Sequence, residues 1–116
     1  MEITQERFDE LVAEAVGTLP RWVRDRMDNV EVFVVDRSPD GRGSLLGLYE
    51  GIPLSARGSN YTGVLPDRIT LFASPILRAS GGDPDRLRAI VKHTVAHEVA
   101  HHFGISDERL LEIDAY

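Results

Sequence analysis

The chain contains no cysteine, so disulfides and thiolate metal ligands are excluded, and any transition metal must be held by imidazole, carboxylate or water. No apolar run approaches the roughly 18 residues needed to cross a bilayer, and no membrane-spanning helix is expected. Basic residues are in deficit: 13 Lys and Arg against 19 Asp and Glu leave a net charge of -6, a balance that disfavours a nucleic-acid partner. The first residues, Met1-Glu2-Ile3-Thr4-Gln5-Glu6-Arg7, lack the basic and then apolar order of a secretory signal, so a cytoplasmic location is expected. Internal repeats and low-complexity tracts are missing too. The 42% hydrophobic and 28% charged content over 116 residues is that of one globular domain, residues 1–116.

Histidine is scarce, and its placement is informative. His93, His97, His101 and His102 are the four histidines of the chain. Three of them stand in His97-Glu98-Val99-Ala100-His101-His102-Phe103-Gly104-Ile105-Ser106-Asp107, which reads HExxHxxGxxD. Helical residues four apart share a face, so His97 and His101 can both direct a ring nitrogen at one ion. Glu98 can then reach a water on that ion, the mechanical meaning of this pattern in helix-borne zinc hydrolases.

The third ligand has two competing readings. After Gly104 the chain can turn back and bring an Asp107 carboxylate oxygen to the metal. Alternatively, Ser106 caps a last helix running to about Ala115, and Asp107 and Glu108 complement its dipole. Glu108 and Glu112 are substitute sources of the third oxygen. His93 and His101 are separated by about 12 Å along a helix axis. One ion with bonds near 2.1 Å cannot take both, so His93 either lines a cleft or is a polar residue of the surface. His102 points roughly 100° away from His101 and is expected to cap the helix C-terminus or pack at the surface.

The rest of the chain alternates helical and extended patterns. Phe8, Leu11, Val12, Ala15 and Val16 follow helical spacing, with Thr4 as N-cap and Gly17 at the C-cap. Pro20 can open a short helix through Met27, whose Trp22, Val23 and Met27 are expected in the core. Val30–Val35 is a β-branched strand; residues 45–50 predict a second, antiparallel to the first, with Gly47 marking a bulge or a close backbone approach. Gly51 to Asp67 reads as a long loop with a short extended piece near Asn60-Tyr61-Thr62, followed by a third strand at residues 68–72. A single helical turn is expected at Pro75–Ala79. Asp83 and Pro84 then start a long helix that ends near His102 or Phe103, at Gly104.

Three segments carry a family resemblance: Leu46-Gly47-Leu48-Tyr49-Glu50-Gly51-Ile52-Pro53-Leu54, Leu65-Pro66-Asp67-Arg68-Ile69-Thr70-Leu71-Phe72, and the helix from His93 to Gly104. Together with HExxHxxGxxD they resemble the small bacterial zincin-like metallopeptidases, the minimal zincins. The resemblance implies an α+β fold: a small mixed sheet of three to four strands packed on an N-terminal helix and an active-site helix. It also implies one Zn2+ per chain, held by His97, His101 and Asp107, with Glu98 as catalytic base and a peptide or protein as substrate. No methionine follows Met27, so the methionine turn of the broader metzincins is missing, and with nine residues after Asp107 little chain is expected for a lower subdomain. Tyr49, Tyr61, Arg68 and Tyr116 are candidates for stabilising the oxyanion, and the strand edge around Gly47 to Tyr49 for binding an extended peptide.

Two other functions fit parts of the pattern. The H-x3-H-x5-D spacing is shared with a bacterial rRNA-maturation endonuclease family, against which stand the acidic balance and Glu98. A zincin fold kept only for partner binding is the other, and an intact Glu98 beside intact ligands argues against it.

Overall fold

The computed structural model describes residues 3–27, 29–39, 41, 43–58 and 65–112. Their order is α1 (Gln5–Gly17), α2 (Arg21–Arg26), β1 (Val30–Val35), β2 (Gly47–Glu50), a 3-10 turn (Leu54–Ala56), β3 (Asp67–Phe72), α3 (Ala73–Ser80), α4 (Pro84–His102) and α5 (Asp107–Glu112). The class is α+β with a small mixed sheet, as expected. Among the described residues no helix is long and apolar enough to cross a membrane. The extended piece expected near Asn60 to Thr62 lies outside the described residues.

Local signals set the two principal helices. Thr4 Oγ1 accepts from the Arg7 N–H at 3.1 Å, and Phe8, Leu11, Val12 and Ala15 form the buried stripe of α1. Its C-cap is Thr18 in right-handed conformation rather than Gly17, because the Thr18 hydroxyl donates to the Ala15 carbonyl and finishes the last turn. Asp83 starts α4 by accepting from the N–H groups of Asp85 and Arg86, with Pro84 at the first position where no N–H is needed. The helix stops at Phe103, and Gly104 follows at φ 93°, a left-handed conformation that side chains with a Cβ resist.

The sheet order is β1-β3-β2. β1 runs parallel to β3 (Val32 opposite Ile69, Val34 opposite Leu71), and β2 runs antiparallel to β3 (Gly47 opposite Leu71, Tyr49 opposite Ile69). The expected direct pairing of the first two strands therefore does not occur. Burial explains why: in β3 only Arg68 is exposed, so this strand needs cover on both faces and both edges, whereas β1 alternates half-buried and exposed and suits an edge. Ile69 and Leu71 face α1 and α4, where Phe8, Leu11, Leu87, Val91, Val95 and Val99 complete the core.

Two further expectations change. The segment after β3 forms two turns, Ala73–Ser80, rather than one; Pro75 is tolerated because it falls in the first turn, whose N–H groups have no helical partner. Trp22 is 57% exposed rather than in the core. A helix as short as α2 buries only one narrow face, and Val23 takes it, with Met27 just beyond. The Trp22 indole instead lies edge-on to Phe103, with the Arg26 guanidinium over its ring.

Candidate metal centre

The last two turns of α4 and the first residue of α5 meet at one point. His97 Nε2 and His101 Nε2 are 3.2 Å apart, and Asp107 Oδ1 lies 3.2 Å from the first and 2.9 Å from the second. Four zinc ligands at bond lengths near 2.0–2.1 Å sit about 3.3 Å from one another, so this donor set fits a tetrahedral ion with adjustments of a few tenths of an ångström. With His97 Nε2 protonated the group is joined by hydrogen bonds; with both Nε2 atoms unprotonated, three lone-pair-bearing atoms face one point, an arrangement that a cation relieves. His101 Nδ1 donates to the Ile105 carbonyl at 2.7 Å. That bond fixes the ring so that Nε2 faces the group.

The two placements of Asp107 are compatible. Ser106 Oγ accepts from the Arg109 N–H at 3.2 Å and so caps α5, whose first residue is Asp107. The turn through Gly104, closed by Gly104 N–H on the His101 carbonyl and Ile105 N–H on the Ala100 carbonyl, brings that first residue back over α4. Asp107 is the exposed member of the trio, which leaves one side of the group open to solvent. Glu108 is not part of the cluster, and the Glu112 side chain lies outside what the structure describes.

Glu98 is 6% exposed. Burial pushes its carboxyl up to about 7; His101 pulls it down and the Asp107 charge pushes it up further. The His97 imidazole is held below the ordinary histidine value, first by burial and then by His101, with Asp107 opposing. Both shifts favour neutral forms, and a neutral imidazole is what a metal binds.

Gly47 supplies the wall beside Glu98. A Cβ there would stand 2.8 Å from Thr94 Cγ2 and 3.2 Å from Glu98 Cγ, so the close approach read from the sequence is between the β2 backbone and α4. Next to it a cavity of about 250 Å³ is lined by Leu45, Leu46, Gly47, His93 and Thr94 together with His97 and Glu98. His93 borders this cleft and is at the same time exposed, so the two places open to it coincide at the rim. Larger hollows of about 440 and 630 Å³ lie elsewhere on the sheet and contain none of the histidines.

His102 departs from expectation. It is fully buried rather than at the surface, and its Nδ1 donates to Asp67 Oδ2 at 2.9 Å. The same carboxylate accepts from Tyr49 Oη at 2.5 Å, Arg57 Nη2 at 2.8 Å and the Ile52 N–H at 3.2 Å. Burial raises the Asp67 pKa, but these four hydrogen bonds outweigh it and hold the carboxyl below its ordinary value. A helical signal for His102 was present, since it follows Val95 by seven residues and Val99 by three, on the core stripe. No local signal marked Asp67 or Arg57. Tyr49 is thus engaged away from the histidine pair, and Arg68 lies over the Phe33 ring on the outer face of the sheet. Tyr61 and Tyr116 are outside the described residues.

A family model described as zincin-like metallopeptidase matches residues 27–116. A solved structure, that of a conserved hypothetical protein from Thermo thermophilus, is 28% identical, with a TM-score of 0.61, over 87% of this chain and 94% of that one. No curated protein matches the chain.

Proposed function

The chain belongs to the zincin-like metallopeptidase family, and on that premise we propose that it is a zinc-dependent hydrolase cleaving an amide bond in a peptide or protein, with His97, His101 and Asp107 as metal ligands and Glu98 as general base. The observation that carries this reading is the convergence of two imidazole nitrogens and one carboxylate oxygen at 2.9–3.2 Å beside a buried glutamate.

A zinc ion on this donor set supplies Lewis-acid polarisation of water and of the scissile carbonyl. Glu98 accepts the proton of the attacking water on its carboxylate and passes it to the departing nitrogen. Burial, which raises this carboxyl in the metal-free chain, makes Glu98 a stronger base than an ordinary glutamate, as taking up a proton from water requires. The β2 backbone at Gly47 covers one side of that carboxyl and keeps bulk water from it. β2 lies at an edge of the sheet among the described residues, so an extended peptide can add alongside it and place a side chain in the cavity bordered by Leu45, Leu46 and Thr94.

Zinc titration of the purified chain together with Asp107→Ala, and hydrolysis of a fluorogenic peptide library by wild type and Glu98→Gln, test the reading. Wild type is expected to take up stoichiometric zinc, Asp107→Ala to bind it more weakly, and Glu98→Gln to keep the metal while losing turnover. A wild-type chain without stoichiometric zinc, or a Glu98→Gln variant as active as wild type, refutes it.

A further inference from the structure

The buried carboxylate of Asp67 joins the last turn of the helix that bears the two imidazoles to a loop that rests on the turn leading to Asp107. In that last turn of α4, His102, held by its Nδ1 on Asp67 at 2.9 Å, is the residue immediately after His101. The loop is the one that follows β2. Ile52 and Arg57 both donate to Asp67, Arg57 Nε also donates back to the Ile52 carbonyl at 2.9 Å, and the loop is thereby folded onto the carboxylate.

Two glycines show how closely this loop is held. At Gly51, φ 149°, a Cβ would lie 2.3 Å from Asp67 Cγ. At Gly104 it would lie 1.9 Å from Ser55 Oγ, so the loop rests directly on the residue that ends α4 and starts the turn to Asp107. Asp67 on one side and Gly104 on the other clamp the segment against the metal helix.

We propose that Asp67 is a positioning residue of the metal centre. Through His102 it fixes the rotation of the final turn of α4, and with it the direction of the His101 ring. Through Ile52 and Arg57 it seats the loop on the turn that carries Asp107 back. Asp67 touches neither the donor trio nor the cleft beside Glu98, and it acts only through these partners. This inference rests on the metal-centre reading above.

The test is zinc affinity by competition titration, with the visible spectrum of the Co(II)-loaded chain as a second readout, on wild type, Asp67→Asn, His102→Leu and His102→Asn, each checked for folding by circular dichroism and a cooperative melt. Asp67→Asn and His102→Leu are expected to bind zinc about 10–100-fold more weakly and to shift the Co(II) bands. His102→Asn, whose amide can stand in for the Nδ1 donor, is expected to bind within a few-fold of wild type. Folded Asp67→Asn and His102→Leu variants with wild-type affinity and spectrum overturn the assignment, as does His102→Asn binding as weakly as His102→Leu. Failure of both to fold with zinc present overturns it as well, since a purely structural role then suffices. If wild type takes up no zinc, the metal centre itself fails; if wild type binds and the variants are unchanged, only the role of Asp67 fails.

Discussion

Glu98→Gln replaces a buried ionisable group with a neutral one of the same shape, and its effect on stability can be worked out before any substrate is known. Burial carries the Glu98 carboxyl from an ordinary 4.5 to about 7. At about 1.4 kcal/mol per tenfold change in proton affinity, folding the metal-free chain around the ionised form costs roughly 3 kcal/mol. The folded-state value is the raised one, so stability associated with the protonated carboxyl is fully present below about pH 4.5 and is lost as pH rises through 7. The glutamine variant carries no such loss. The metal-free proteins should therefore differ little near pH 5, and at pH 8 Glu98→Gln should be the more stable by roughly 2–3 kcal/mol, a melting temperature higher by about 10 °C. Thermal melts of the chelator-treated proteins from pH 5 to 8.5 give the comparison. His97 titrates in both proteins, so its contribution largely cancels in the difference. A gap that stays constant with pH, or a glutamine variant less stable at pH 8, refutes the argument that Glu98 is kept at the expense of stability for its proton chemistry.

Gly47→Ala forces a methyl to within 2.8 Å of Thr94 Cγ2 and 3.2 Å of Glu98 Cγ, and should destabilise by about 1–3 kcal/mol in urea unfolding; an unchanged midpoint would mean that β2 does not press on α4. Because burial and His101 hold the His97 imidazole below its ordinary 6.5, protons should compete with zinc for that nitrogen only in the acid range, so lowering the pH from about 6.5 to about 5 should weaken zinc binding; an affinity unchanged over that interval in competition titrations contradicts this. Leu71→Ala, at a fully buried position of β3, should cost about 2–5 kcal/mol, whereas Val35→Thr on the outer face should stay within about 0.5 kcal/mol, both by denaturant unfolding.

What could be read from the sequence divides by the distance over which the chain interacts with itself. Helix α4 was legible from end to end because its signals are local: an aspartate cap, a proline at the first position, a glycine just past the end, and a stripe at four-residue spacing. The two histidines of the trio and Glu98 share that helix, so their proximity follows from helical geometry alone. Strand order was not legible, since nothing near β1 or β2 states that a strand more than fifteen residues further on will lie between them. The burial of β3 on both faces decides that, and it exists only after the sheet has formed. The same holds for Asp67, whose partners His102 and Tyr49 are 35 and 18 residues away and whose role no spacing rule describes.

Asp107 falls between these cases. From sequence, helix-start residue and metal ligand looked like alternatives, each with its own local signal. In the structure they are compatible: a residue at the start of α5 has its position set by the Ser106 cap, and the left-handed Gly104 points that start back at α4, beside the two imidazoles. The cap thus delivers the carboxylate to the two imidazoles without a long ordered loop to hold it there. A substitution at Ser106 that removes the cap should accordingly weaken zinc binding while leaving every proposed ligand in place; equal affinity for Ser106→Ala and wild type in competition titration would show that Asp107 is positioned by something other than its helix.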